Sequence, residues 1–173
     1  MKIIRIQLLV LLSATILLNC GGKEEKKKEG FTYEKSSSQE NSGTKNVESN
    51  VVNIVLTAND MMQYNTKEIK VKAGQRVRLT LRHIGKLDVN IMGHNFVLLK
   101  QGADLVAFAT AAATQKDNKY IPVGTENVIA HTDMIGGGQV ATIEFEAPEV
   151  GTYEFLCSFP AHYAMMRGQF IVE

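Results

Sequence analysis

The sequence predicts an all-β sandwich or barrel, and three observations carry that reading. From residue 51 onward short segments alternate apolar and polar side chains with period two, the pattern of strands with one buried face. Gly and Pro fall between those segments, at Ala73-Gly74-Gln75 and across Pro148 to Gly151. Only one stretch reads as helix, and no internal repeat is present. Several short strands joined by such turns indicate a sandwich or barrel.

The elements follow in order. Val51 to Ala58 opens with an apolar run, and Glu68-Ile69-Lys70-Val71-Lys72 alternates. Arg76-Val77-Arg78-Leu79-Thr80-Leu81-Arg82 alternates again after the Gly74 turn. Asn95 to Lys100 is a short apolar strand. Ala103 to Gln115, rich in Ala and Leu and free of Gly and Pro, predicts a short helix inside an insertion from Gln101 to Thr125. Ala141-Thr142-Ile143-Glu144-Phe145-Glu146, Thr152 to Cys157 and Gly168 to Val172 complete the strands.

The 173 residues allow one domain plus appendages. Lys2 and Arg5 precede an almost wholly apolar run from Ile6 to Leu18, the n-region and h-region of an export signal over residues 1–19. That run is too short to be preferred as a permanent membrane span. Leu17-Leu18-Asn19-Cys20-Gly21 resembles the lipobox of bacterial lipoproteins, which makes Cys20 the lipidated mature N-terminus and anchors the chain to a membrane. Asn19 stands where Gly, Ala or Ser is usual, and an ordinary cleaved signal with an incidental Cys is the alternative. Residues 20–50 carry Lys23-Glu24-Glu25-Lys26-Lys27-Lys28 and Ser36-Ser37-Ser38, too polar to offset ordering entropy, so a disordered tether is expected. The folded domain is expected over 51–173, with the chain exported to the periplasm or cell surface.

Residues 51–173 hold eleven Lys and Arg against twelve Asp and Glu. No basic stripe exists for nucleic acid to bind.

The chemistry concentrates in Cys157-Ser158-Phe159-Pro160-Ala161-His162-Tyr163-Ala164-Met165-Met166. Thiolate, imidazole and thioether in one loop form a soft donor set suited to copper, and His₂Cys with a weak axial Met marks a blue-copper electron-transfer site. The loop supplies one His, so a second must come from elsewhere. His94 is the best choice among His83, His94 and His131, because Gly93 before it lets backbone approach a bound atom closely. By composition alone, a hydrogen-bonded histidine at a strand start is the competing reading. Met165 and Met166 compete as the thioether. Cys20 and Cys157 are the only cysteines, so with Cys20 lipidated the fold has one thiol, no internal disulfide, and no second cysteine for a dinuclear centre.

Three rival functions use the same residues. A Cys157–His162 hydrolase pair lacks an orienting third group and leaves the Met unexplained. A structural zinc site wants four strong ligands. A copper-binding protein for storage, delivery or resistance is the remaining alternative, although such sites tend to be exposed and Met-rich.

From about Asn53 to Glu173 the chain resembles the azurin family, small bacterial blue-copper proteins of the cupredoxin fold. The resemblance rests on Asn59-Asp60 with Met62-Gln63-Tyr64-Asn65, on Met92-Gly93-His94-Asn95-Phe96-Val97-Leu98, and on Ile129-Ala130-His131-Thr132 with Ile135-Gly136. The final piece is the Cys157 to Gly168 loop, with four residues between Cys and His and three between His and Met. It implies a Greek-key cupredoxin sandwich and a non-enzymatic carrier with one type 1 copper. By resemblance Cys157, His94 and His162 are the strong ligands, Met166 is the long axial ligand, and the Gly93 carbonyl lies on the opposite axial side. Asn95 pins the ligand loops together, and the amides of Asn95 and Phe159 donate to the Cys157 sulfur. Pro160 stiffens the loop. His83 matches a buried histidine near the site, and His131 a surface histidine that binds no native metal.

The resemblance also implies electron exchange with redox partner proteins, such as a cytochrome, reductase or oxidase. The edge of His162 would lie within an apolar patch of Leu87, Ile91, Met92, Phe159, Pro160, Ala161, Ala164 and Met165. A monomer is the simplest expectation. Three features depart from the family. Its disulfide has no counterpart, Val52 and Gln75 lying in that region, its Trp beside the first ligand is Phe96, and Asp88 adds a charge near the apolar surface.

Overall fold

The computed structural model describes residues 50–173. The expected signal over 1–19, Cys20 and all but the last residue of the expected tether lie outside the described residues.

Alternating segments become strands because one face of each can be buried. β1 (Val51–Asn59), β2 (Gln63–Tyr64), β4 (Arg76–His83) and β7 (Val140–Glu146) form one sheet, in the order β2-β1-β4-β7. β3 (Glu68–Val71), β5 (Val97–Leu99), β6 (Val128–His131), β8 (Gly151–Leu156) and β9 (Arg167–Val172) form the second, ordered β3-β9-β8-β5-β6. The chain crosses between layers repeatedly, as expected for the Greek-key sandwich. Both sheets are mixed: β1 runs parallel to β4 from Val51↔Arg76 to Ala58↔His83, and β3 runs parallel to β9.

Val77, Leu79 and Leu81 of β4 alternate with exposed or half-buried Arg76, Arg78, Thr80 and Arg82. They meet Tyr153, Phe155 and Phe170 of the facing sheet in the central core. β5 differs, for Val97, Leu98 and Leu99 are all fully buried. Leu98 faces the central core, while Val97 and Leu99 lie with Leu156 in a second cluster beneath the helix α2 (Leu105–Ala112). Leu105, Phe108, Ala109 and Ala112 supply that helix's buried side.

The helix is shorter than the predicted 103–115. Asp104 accepts from the amides of Val106 and Ala107 and starts it at Leu105, a cap worth about 1 kcal/mol. Its end is tightened by the Gln115 amide donating to Ala112 O at 2.9 Å. Sequence reading also passed over β2, β6, a single helical turn α1 (Val89–Met92), and 3-10 turns at Lys116–Asn118 and His162–Ala164. Each is short and lacks a period long enough to read. Among the described residues, no helix is long and apolar enough to cross a membrane.

Candidate metal centre

Tyr153, Phe155 and Cys157 share the inward face of β8 and its end, and all three lie in the central core. Cys157 follows the last strand residue and is fully buried, its amide donating to Met166 O at 2.9 Å. The loop between them closes tightly. The amides of Met165 and Met166 both donate to His162 O, at 3.0 and 2.8 Å, and Ala161 turns the chain at φ 67°. This fold-back brings His162 Nδ1 to 3.6 Å from Cys157 Sγ.

His94 arrives from the other side. Asp88 caps α1 by accepting from Asn90 N, and Gly93 ends it. A Cβ on Gly93 would lie 2.6 Å from Val89 O and 2.9 Å from Phe159 Cδ2, so only glycine fits there. The His94 amide donates to Ile135 O, and the Ile135 amide to His94 O, at 2.9 and 2.8 Å. His94 Nε2–H donates to Asn59 O at 2.9 Å, because a carbonyl can only accept. That leaves Nδ1 bare, 3.9 Å from Cys157 Sγ.

Polar contacts lock the two loops. Asn95 Nδ2 donates to Ser158 Oγ at 2.8 Å, and the Ser158 amide donates to Asn95 Oδ1 at 2.9 Å. Tyr64 hydroxyl donates to Asn95 O, and the Phe96 amide donates to Thr132 Oγ1 at 3.0 Å. The Gly93 carbonyl stands 3.8 Å from Sγ.

Burial governs the charges. It pushes the Cys157 thiol up to about 12, against the backbone amides of Asn95 and Phe159, which donate to the sulfur and lower it. Burial also lowers His94 to about 4 against the Asn59 carbonyl, with His83 adding to the fall. His162 is lowered to about 4 by burial, then by His94 and His83. At neutral pH the site therefore presents two neutral imidazoles and one protonated thiol.

The donor atoms of His94, Cys157 and His162 lie within 4.8 Å of one another. With metal–nitrogen and metal–sulfur bonds near 2.0 and 2.3 Å, tetrahedral or trigonal angles put N and S about 3.5–3.7 Å apart. The His162 separation of 3.6 Å falls in that range and the His94 separation of 3.9 Å just beyond it, so one ion fits between them with a wider angle on the His94 side. Two imidazoles and a thiolate, with no carboxylate, suit copper by softness.

The family model for copper binding proteins of the plastocyanin/azurin family matches residues 50–173. The chain belongs to that family.

Among plastocyanin/azurin relatives, azurin-1 and azurin-2 of Alcaligenes xylosoxydans xylosoxydans are 40% and 43% identical over 117 and 118 residues. These cover 65% and 64% of this chain and 91% and 89% of theirs. The dithionite-reduced auracyanin of Roseiflexus castenholzii superposes with TM-score 0.63 at 35% identity, over 70% of this chain and 96% of that one. Auracyanin A of Chloroflexus aurantiacus, a blue copper protein, gives TM-score 0.65 at 28% identity, over 71% and 99%.

Within this family member the structure brings His94, Cys157 and His162 together and places Gly93 and Asn95 against them. Met166 is fully buried at the loop's end, whereas Met165 is 51% exposed. His83 has no lone pair to offer: its Nδ1 accepts from Gly85 N and its Nε2 faces Met92 O, both at 3.0 Å. It stacks on His94 at 4.4 Å. His131 is exposed and outside the cluster. Sequence reasoning missed Ser158, which reciprocates Asn95, and the carbonyl of Asn59. Both act through groups that carry no compositional signal.

The patch expected around His162 is mixed in exposure. Leu87, Ile91, Ala161, Ala164 and Met165 are exposed, and Met92, Phe159 and Pro160 half-buried. Phe159 lies against the His162 ring at 4.6 Å. Among the described residues His162 Nε2 has no hydrogen-bond partner and no buried polar side-chain atom is left unpaired, so that edge is not sealed in the core.

Proposed function

We propose that the protein is a one-electron carrier holding a single type 1 copper between His94, Cys157 and His162. The convergence of those three donors inside a packed sandwich carries this reading. Bound copper supplies the Cu(II)/Cu(I) couple. Met166 and the Gly93 carbonyl would add weak donors to the three strong ones. The thiol gives up its proton on metal binding, and the amides of Asn95 and Phe159 then stabilise the thiolate and tune the potential. Strand anchoring and the Asn95–Ser158 pair hold one geometry for both oxidation states, so little rearranges as the electron passes.

The edge of His162 is the electron's exit, and the apolar residues around it form the docking face. Redox partner proteins would meet it through a small, weak interface suited to rapid turnover. Residues 1–19 direct export, Cys20 carries lipid, residues 20–50 are the tether, and the domain over 51–173 works as a monomer on a membrane in the periplasm or at the cell surface.

A thiol held near 12 beside imidazoles near 4 pairs a poor nucleophile with weak bases at neutral pH, which counts against hydrolysis. Full burial of Cys157 and His94 favours a resident metal over one passed to an acceptor. The test is to add Cu(II) to the purified protein and record the visible spectrum. An intense thiolate-to-copper band lost in Cys157→Ser is expected, and a colourless protein would refute the reading. Rapid loss of copper on reduction would favour delivery over electron transfer.

A further inference from the structure

Beside the ligand loop lies an open groove of about 430 Å³, lined by Gln63, Tyr64, Lys67, Ala164, Met165 and Arg167. We propose that this groove is the polar half of the docking face, and that it receives a carboxylate carried at the rim of a redox partner's electron-transfer centre. The proposal rests on the electron-carrier reading and names the chemistry of the partner.

Two cations and no acid line the groove. Lys67 and Arg167 are both exposed, and neither takes part in an ion pair among the described residues. The backbone brings both to one groove wall, Lys67 just before β3 and Arg167 at the start of β9. Gln169 N donates to Lys67 O at 2.8 Å. Gly168 permits that approach, since a Cβ there would stand 2.4 Å from Lys67 O and 2.5 Å from Phe155 Cζ. Two cations on one groove wall repel each other, and a carboxylate between them relieves it.

The surrounding charges orient the partner. The groove continues into a second hollow of about 520 Å³ where Glu154 joins the lining. Lys67 and Arg167 line that hollow as well, so Glu154 repels a second carboxylate there and confines the seat to the Gln63–Tyr64 side of the two cations. Glu68 is occupied by Lys70 at 3.3 Å. On the α1 side exposed Asp88 shares a hollow with exposed Lys86, so the charges there offset. The unbalanced positive charge of the docking face therefore lies at Lys67 and Arg167. Met165, on the groove's rim, is three residues from His162 in the chain, so a seated carboxylate fixes the partner beside the exit. Rim charges act chiefly on encounter rate and register.

The test compares three reductants of the copper-loaded full-length chain by stopped flow: cytochrome c with succinylated lysines, native lysine-ringed cytochrome c, and uncharged hydroquinone. Each cytochrome gives one electron from Fe(II) to Cu(II). The succinylated cytochrome should react more slowly as salt rises. At low salt it should slow about ten-fold in the Lys67→Gln/Arg167→Gln variant, whose visible band should be unchanged. The charge-matched Lys72→Gln/Lys100→Gln control should change less than about two-fold, as should the hydroquinone rate. Equal slowing in both double variants would reduce the effect to net charge and overturn the proposal, as would no slowing in either. If the parent protein shows no blue band and no reaction with hydroquinone, the electron-carrier reading fails, and the docking proposal with it.

Discussion

Asn95 and Ser158 exchange two buried hydrogen bonds, of 2.8 and 2.9 Å, across the loops that carry His94 and Cys157. Asn95→Leu would strand the Ser158 amide and hydroxyl without partners, at a cost of about 2–4 kcal/mol, against about 1 kcal/mol for Ser158→Ala. Urea unfolding of the metal-free protein reads both. A double-mutant cycle should give a coupling above about 0.5 kcal/mol, and strict additivity would contradict the pinning role.

The metal-free protein should be most stable between about pH 6.5 and 9. Each imidazole falls from 6.5 to about 4 on folding, chiefly by burial. Between those values the unfolded chain binds more protons, so stability rises with pH by up to about 1.4 kcal/mol per unit per imidazole. Cys157 moves the other way, from 9.0 to about 12. Its contribution is complete below pH 9 and is lost as pH climbs toward 12. Denaturant midpoints measured from pH 4 to 11 check both limbs, and a flat profile would refute the burial argument.

Copper uptake should release about one proton at pH 7, because the buried thiol enters the reaction protonated and the imidazoles enter neutral. Affinity should rise about ten-fold per pH unit from pH 6 to 8. Calorimetry in buffers of different ionisation enthalpy counts the proton. Cys157→Ser should release none at the strong site.

Met166→Leu should keep the blue band and raise the reduction potential, since losing a weak donor and gaining apolar surface both disfavour Cu(II). Met165→Leu, at an exposed position, should leave the potential unchanged. Voltammetry of the pair decides which thioether serves the metal.

Ala161 holds φ 67° immediately before His162, a conformation that costs an L-residue about 1–2 kcal/mol. Ala161→Gly should relieve part of that strain and raise stability by a few tenths to about 1 kcal/mol. Thermal unfolding of the copper-loaded form measures it, and a loss of stability would count against the strain.

Much of this protein was legible in the chain. Period-two alternation in Arg76 to Arg82 and Ala141 to Glu146 declared strands, because those segments bury one face only. The Cys-x₄-His-x₃-Met spacing declared soft ligands, because one loop carries them all. Tertiary structure alone decided the rest. It set the parallel pairing of β1 with β4, and placed α2 over β5, whose continuous apolar run is buried on both faces. It also brought His94 from 63 residues away to Cys157. His94 became distinct from His83 only through Asn59 O, which takes its Nε2 proton and leaves Nδ1 bare, while both nitrogens of His83 are engaged. Backbone carbonyls and amides do that work, and because every residue carries them, no sequence pattern announces where they will stand.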